Sequence, residues 1–150
     1  MRTGGFPMLM RLLSGCSVMA LCVTIHAAGV TWALERLRRL APPAGFWPET
    51  WLFIRLAALI VVLHLAEIAV WAAVYLWNDA MPDVPSALYF SAVTYTTTGY
   101  GDLVLPPMWR LHGGIEALTG ILMCGWSTGF FFAIVNRLYA GRPQGERSWR

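Results

Sequence analysis

The stretch Thr97-Thr98-Gly99-Tyr100-Gly101-Asp102 holds the residues whose types and spacing can do chemistry. A cation that leaves water must find other oxygens at similar distance and field strength. A run of backbone carbonyls pointing one way supplies them. Such a run needs dihedrals that glycine adopts at little steric cost, and Gly99 and Gly101 flank Tyr100. Tyr100 would give a carbonyl inward and a ring outward. Thr97 offers a carbonyl and a hydroxyl, so one residue carries two oxygen ligands. Thr98 is β-branched and stiff at χ1, which suits a constrained extended segment. This is coordination chemistry, not bond-making. With no nucleophile–base pair or phosphate loop in a plausible place, and no zinc-site spacing, an enzyme is the class least expected.

The wider segment from Leu88 through Tyr89, Phe90, Ser91, Ala92 and Val93 to Asp102 resembles the pore region of the potassium channel superfamily. The likeness is to its small, two-transmembrane ion-channel-2 type. In that family a short pore helix ends in Thr-Val-Gly-Tyr-Gly-Asp, and four such loops meet on an axis. The resemblance implies that Thr97, Thr98, Gly99 and Tyr100 ligate K⁺, with Gly101 and Asp102 at the filter mouth. It places Tyr89 and Phe90 among the aromatics that brace the filter, and Val93 where some members carry a glutamate. It also implies a homotetramer, with K⁺ as the permeant ion and no cofactor. Gly120 is the best match to the family's inner-helix gating hinge, with a packing glycine as the other reading. The chain departs from the commonest filter at Thr98, usually Val or Ile. That exchange keeps the β-branch and adds a hydroxyl, so a poorly selective monovalent cation pore stands as the alternative. A non-conducting structural or regulatory membrane subunit stands beside it.

A pore loop needs membrane-length elements to hold it, and the composition supplies them. The chain has 150 residues, 57% hydrophobic and 13% charged, with a mean hydropathy of +0.56. That is a membrane composition rather than a soluble core. Three stretches exceed the ~20 apolar residues of a span: about 12–34, 51–77 and 111–139. Helices are expected, because lipid cannot satisfy free backbone groups. Asp83, Pro85 and Ser86 are helix-start chemistry, predicting a pore helix over about 86–97. The breaks fall at Pro42-Pro43, between Asn78 and Pro85, and at Pro106-Pro107. The expected fold class is an all-α membrane protein: three transmembrane helices, with a re-entrant pore helix and filter loop between the second and third. The divisions are 1–45 (N-terminal helix and basic linker), 46–140 (pore domain) and 141–150 (cytoplasmic tail). Segment 1 is not read as a cleaved signal, since Ile25-His26-Ala27 is no Ala-x-Ala site.

All eleven basic residues are arginines. Arg36, Arg38, Arg39 and Arg55 lie between the first two segments; Arg137, Arg142, Arg147 and Arg150 follow the third. Only Arg110 lies in the pore loop, near Asp79, Asp83 and Asp102. The positive-inside rule predicts a multi-pass cell-membrane protein with an external pore mouth, a cytoplasmic C-terminus and an external N-terminus. The charge is not clustered as in a nucleic-acid site, so no nucleic-acid partner is expected; the partners are lipid and other copies of the chain. No helix carries arginines at three-residue spacing across its middle, so no voltage sensor is expected, and no duplicated halves point to a transporter.

Ionisable groups within spans are costly and must face protein or water. His64 and Glu67 are three apart, on one helical face, and form a candidate intramembrane polar contact. It reads as a gating or pH-sensing contact or as a structural hydrogen bond, with His26 a plausible partner. Glu116 reads as a buttress of the pore loop, as a bias on cations or as a plain structural bond, and His112 as a pH sensor or as an ordinary interfacial histidine. Cys16, Cys22 and Cys124 lie in apolar segments and argue against a disulfide framework. Trp51, Trp71, Trp77, Trp109 and Trp126 read as interfacial anchors and packing.

Overall fold

The structure, a computed structural model, describes residues 7–39 and 45–140. The Pro42-Pro43 break, Arg2 and the basic tail with Arg142, Arg147 and Arg150 lie outside the described residues. The described residues form helices and connecting turns, with no strand among them. In chain order these are α1 (Met8–Arg39), α2 (Phe46–Trp77), α3 (Val84–Tyr95) and α4 (Arg110–Ala140).

Helices α1, α2 and α4 are long and apolar enough to cross a membrane. Each runs beyond the expected limits. At 32, 32 and 31 residues they would extend ~48 Å, more than the ~30 Å hydrocarbon core. Helix α3, at 12 residues, would reach only ~18 Å and cannot span.

Local chemistry sets the limits of α3. The Asp83 side chain accepts the Ser86 N–H at 2.8 Å, capping the first turn, and a proline stands in that turn, where its missing N–H costs nothing. That bond holds the exposed Asp83 carboxyl below its ordinary pKa. The helix ends two residues earlier than expected. Thr96 is its C-cap, and Thr97 takes a left-handed φ of 59°, which cannot continue a right-handed helix.

Two apolar clusters join the helices. Around α3, Cys22, Ile68, Trp71, Tyr75, Tyr95 and Met123 pack together. At the other end, Val30, Ala33, Leu56, Ile60, Phe130 and Ile134 do the same. Trp71 is fully buried, so it packs the core instead of anchoring an interface; Trp77 is 90% exposed. Helix α1 runs antiparallel to α2. Its N-terminal Met10, Arg11 and Ser14 line a 250 Å³ cavity with Asn78, at the end of α2, and Trp109 and His112, at the start of α4. The Ser14 hydroxyl meets His112 Nε2 at 2.8 Å. His112 is therefore buried between helices rather than lying free at an interface.

Candidate functional site: the loop after α3 and its buried seat

Beyond Tyr95 the backbone stops being helical and alternates. Thr97, Gly99 and Gly101 have φ of 59°, 57° and 78°. Thr98 and Tyr100, between them, do not have positive φ. In an ordinary strand successive residues face opposite ways; inverting every second residue brings carbonyls toward one side. Among the described residues, no atom beyond the adjoining residues lies within 4 Å of a Cβ built on Gly99 or Gly101, so within the single chain their glycine requirement is conformational, not spatial. Thr97 makes the same left-handed turn with a β-branched side chain, a costly conformation held by its surroundings.

The loop is tied back to α3 through its backbone. The Thr97 N–H donates to the Thr94 carbonyl at 2.9 Å. The Thr98 and Gly99 N–H groups both donate to the Val93 carbonyl, at 2.9 and 3.3 Å. Thr96 Oγ1 donates to the Ala92 carbonyl at 2.7 Å and meets Thr98 Oγ1 at 3.0 Å. The Thr98 hydroxyl is thus engaged with the cap of α3. At the far end, the Tyr89 hydroxyl donates to Asp102 Oδ2 at 2.7 Å, and the Leu103 N–H donates to Asp102 Oδ1 at 3.0 Å. The Tyr89 bond is the main reason the Asp102 carboxyl lies below its ordinary pKa, and Asp102 in turn raises the Tyr89 phenol. A 120 Å³ cavity separates loop and helix, lined by Tyr89, Phe90, Val93, Gly99, Gly101 and Asp102 among others. Phe90 also packs edge-on against Tyr75, 5.5 Å between ring centroids.

Two buried carboxylates seat α3. Glu116 of α4 accepts from Tyr75 of α2 at 2.7 Å and from the Ser91 hydroxyl of α3; Ser91 also donates to the Ile68 carbonyl at 2.9 Å. Glu67 of α2 accepts from the Tyr95 hydroxyl at the foot of α3, and its Oε1 meets His26 Nδ1 of α1 at 2.9 Å. Ser91 and Tyr95 are four apart, hence on one face. Tyr95 also meets His64 Nδ1 at 3.0 Å. Ser127 of α4 lies between the histidines, 3.1 Å from His26 Nε2 and 3.2 Å from His64 Nε2. A Cβ on Gly120 would overlap the Tyr95 backbone carbonyl. In this conformation Gly120 is the contact glycine at which α4 meets the foot of α3.

The structure thus gathers Tyr89, Phe90, Val93, Gly99, Gly101 and Asp102 in one place, and His64, Glu67 and His26 in another. Gly120 joins the second group from α4. Sequence reasoning missed Tyr95, Ser127, Ser91 and Tyr75 as partners of the buried acids. The i, i+4 pair Ser91 and Tyr95 was the only signal available for α3. Donor atoms of His26, His64 and Glu67 lie within 4.8 Å of one another, but hydrogen bonding already occupies them. A dication with one carboxylate and two neutral imidazoles would leave a net positive charge at membrane depth, which is costly. The group is a hydrogen-bonded set.

A family profile described as ion channel matches residues 59–137, more than half of the chain. The chain is also similar to the potassium voltage-gated channel protein shk-1 of Caenorhabditis elegans, 44% identical over 46 residues. That stretch is 30% of this chain and 9% of the relative, so the likeness covers a small part of that protein. No solved structure matches. The chain belongs to the ion channel family, as a member of the potassium channel superfamily of the small ion-channel type. That is a family of membrane channels and not of enzymes.

Proposed function

We propose that four copies of this chain form one potassium-selective pore, with residues 97–102 of each as a quarter of the filter. The observation that carries this reading is the alternation of left-handed φ at Thr97, Gly99 and Gly101 in a loop exposed on the single chain. Tyr100 is 72% exposed; a coordination shell of carbonyls is complete only when other copies face it. The K⁺ ligands are then Thr97, Thr98, Gly99 and Tyr100. Gly101 and Asp102 form the mouth, where the ionised Asp102 attracts cations. Helix α3 is the re-entrant pore helix, its C-terminal, partly negative end toward the ion path. Tyr89, Phe90 and Val93 hold the loop from behind.

The pore module is residues 46–140, with α1 added to its outside. Arg36, Arg38 and Arg39 lie in the last turn of α1, at the bundle end opposite Asp102. That supports an external mouth and a cytoplasmic C-terminus. Exposed apolar side chains on α4, among them Leu118, Ile121, Leu122 and Phe132, are available to neighbouring copies and to lipid.

The poorly selective reading rests on the Thr98 hydroxyl. Its contact with Thr96 Oγ1 takes it toward α3 rather than toward the ion, which favours selectivity. The test is flux of reconstituted protein with K⁺ and Na⁺ compared directly, alongside cross-linking in mild detergent. Selective K⁺ flux and a limiting tetramer are expected. Equal Na⁺ passage, or cross-linking that stops cleanly at dimers, sinks the proposal.

A further inference from the structure

The five side chains under the filter form a closed ring. Glu67 meets His26, His26 meets Ser127, Ser127 meets His64, His64 meets Tyr95, and Tyr95 returns to Glu67. Every helix contributes: His26 from α1, His64 and Glu67 from α2, Tyr95 from α3 and Ser127 from α4. His26 and Glu67 are fully buried, and Tyr95 and Ser127 nearly so. The His64 side chain, 18% exposed, is the opening.

Each link of the ring needs one hydrogen between two heteroatoms. Tyr95, Ser127 and two neutral imidazoles bring one each, and a carboxylate brings none. Five links therefore lack one hydrogen. One added proton, on the carboxyl or on an imidazole, completes the set. With the proton on Glu67, a single direction of donation runs round the ring: the Glu67 carboxyl O–H to His26 Nδ1, His26 Nε2–H to Ser127, Ser127 to His64 Nε2, His64 Nδ1–H to Tyr95, and Tyr95 to the second Glu67 oxygen. With the proton on an imidazole, that imidazole donates on both sides and Glu67 accepts twice. The opposite direction closes equally well with the proton on Glu67. With that proton the group has no net charge, the state least costly at membrane depth. Losing it leaves a net negative charge and one link without hydrogen. A second proton leaves a net positive charge and one link with two.

We infer that this ring is a binding site for one proton, and that occupancy of the site holds the foot of α3 and so the filter beyond it. Tyr95 is the last residue of α3, two before the left-handed turn at Thr97. Its hydroxyl belongs to the ring, while its carbonyl abuts Gly120. A missing or doubled hydrogen at Tyr95 or Glu67 therefore acts on the residue from which the filter hangs. Among the described residues, the other titratable side chains acting on ring members are Cys22 on α1 and Cys124 on α4. The neighbouring buried pair of Tyr75 on α2 and Glu116 on α4 is the next group, Tyr75 packing in one cluster with Tyr95 and Glu116 acting on Cys22. The role in conduction rests on the channel reading above; the proton count does not.

Two measurements test this on the full-length protein in lipid vesicles. The first is ¹⁵N NMR of the histidines near neutral pH. The closed ring requires His26 and His64 in opposite neutral tautomers, or one imidazolium beside one neutral ring. Two neutral rings of the same tautomer, or two imidazoliums, overturn the proposal. The second is K⁺ flux from about pH 5 to about pH 9, each variant scaled to its own neutral value. Wild type is expected to fall on both limbs, by roughly fivefold or more for the loss of one link. Glu67→Gln supplies an amide N–H to His26 and a carbonyl to Tyr95, so the ring closes without an extra proton and the profile should flatten. A flat wild-type profile, or a Glu67→Gln profile like that of wild type, overturns it. Absence of K⁺ flux at every pH with the expected tautomers present refutes the channel reading and supports the proton site.

Discussion

Gly120→Ala is the most direct probe of how α3 is seated. The perturbation is a single methyl group, and in most helix positions it helps: alanine is favoured over glycine by ~1 kcal/mol in a helix interior. At Gly120 the methyl would overlap the Tyr95 backbone carbonyl, with the Tyr95 ring carbon Cδ1 at 3.1 Å. A carbonyl within a hydrogen-bonded turn cannot swing aside as a side-chain end can. Either α4 or the foot of α3 must shift, at the ~1–3 kcal/mol typical of overpacked sites. Against the propensity gain, the net change is destabilising by up to ~2 kcal/mol per subunit. Gly114, on the same helix, is exposed with no atom within 4 Å of an added Cβ. Gly114→Ala makes the identical chemical change and should be neutral or stabilising by up to ~1 kcal/mol. Thermal melts of the two variants in one detergent, with K⁺ flux beside them, should show opposite signs: a lower midpoint and reduced flux for Gly120→Ala only. Equal or higher stability for Gly120→Ala than for Gly114→Ala would refute the close approach of α4 to Tyr95.

Tyr89→Phe removes the main cause of the lowered Asp102 pKa. Because that pKa is depressed in the folded protein, the Tyr89–Asp102 tie is present at neutral pH and lost as pH falls through it. In the variant, acid loss of K⁺ conductance should begin at higher pH, read in bilayers against wild type; an unchanged acid limb would remove Asp102 from the mouth. Gly99→Ala and Gly101→Ala should each abolish flux while membrane insertion, measured by extraction and fractionation, persists, since both glycines hold left-handed φ that a Cβ strains by ~1 kcal/mol or more. Thr98→Val should keep K⁺ selectivity and change open probability several-fold, because it deletes the bond to Thr96 Oγ1 worth ~1 kcal/mol. A gain of selectivity in that variant would favour the poorly selective alternative.

Much of this protein is local and legible in its residues. Apolar runs of span length, the Pro and Gly breaks, the Asp83-x-x-Ser86 cap and the Thr-Gly-Tyr-Gly letters all act within a few positions, so composition and spacing reveal them. They place three long helices, and a short one before the loop 97–102, with helix limits shifted by a few residues where caps and left-handed turns decide. The positions in which Glu67, Glu116 and Gly120 finally sit are a different matter. Spacing put His64 and Glu67 on one helical face, but not which helix that face meets. His26 reaches Glu67 across 41 positions and Ser127 across 101. Those distances are bridged only by the rotation and depth of each helix in the bundle. An apolar helix with little amphipathic bias carries no strong stripe to announce that rotation. The tertiary structure therefore decided that one buried acid holds the middle of α3 and the other its foot. It also decided that Gly120 must lack a side chain, because packing brings the Tyr95 carbonyl to it.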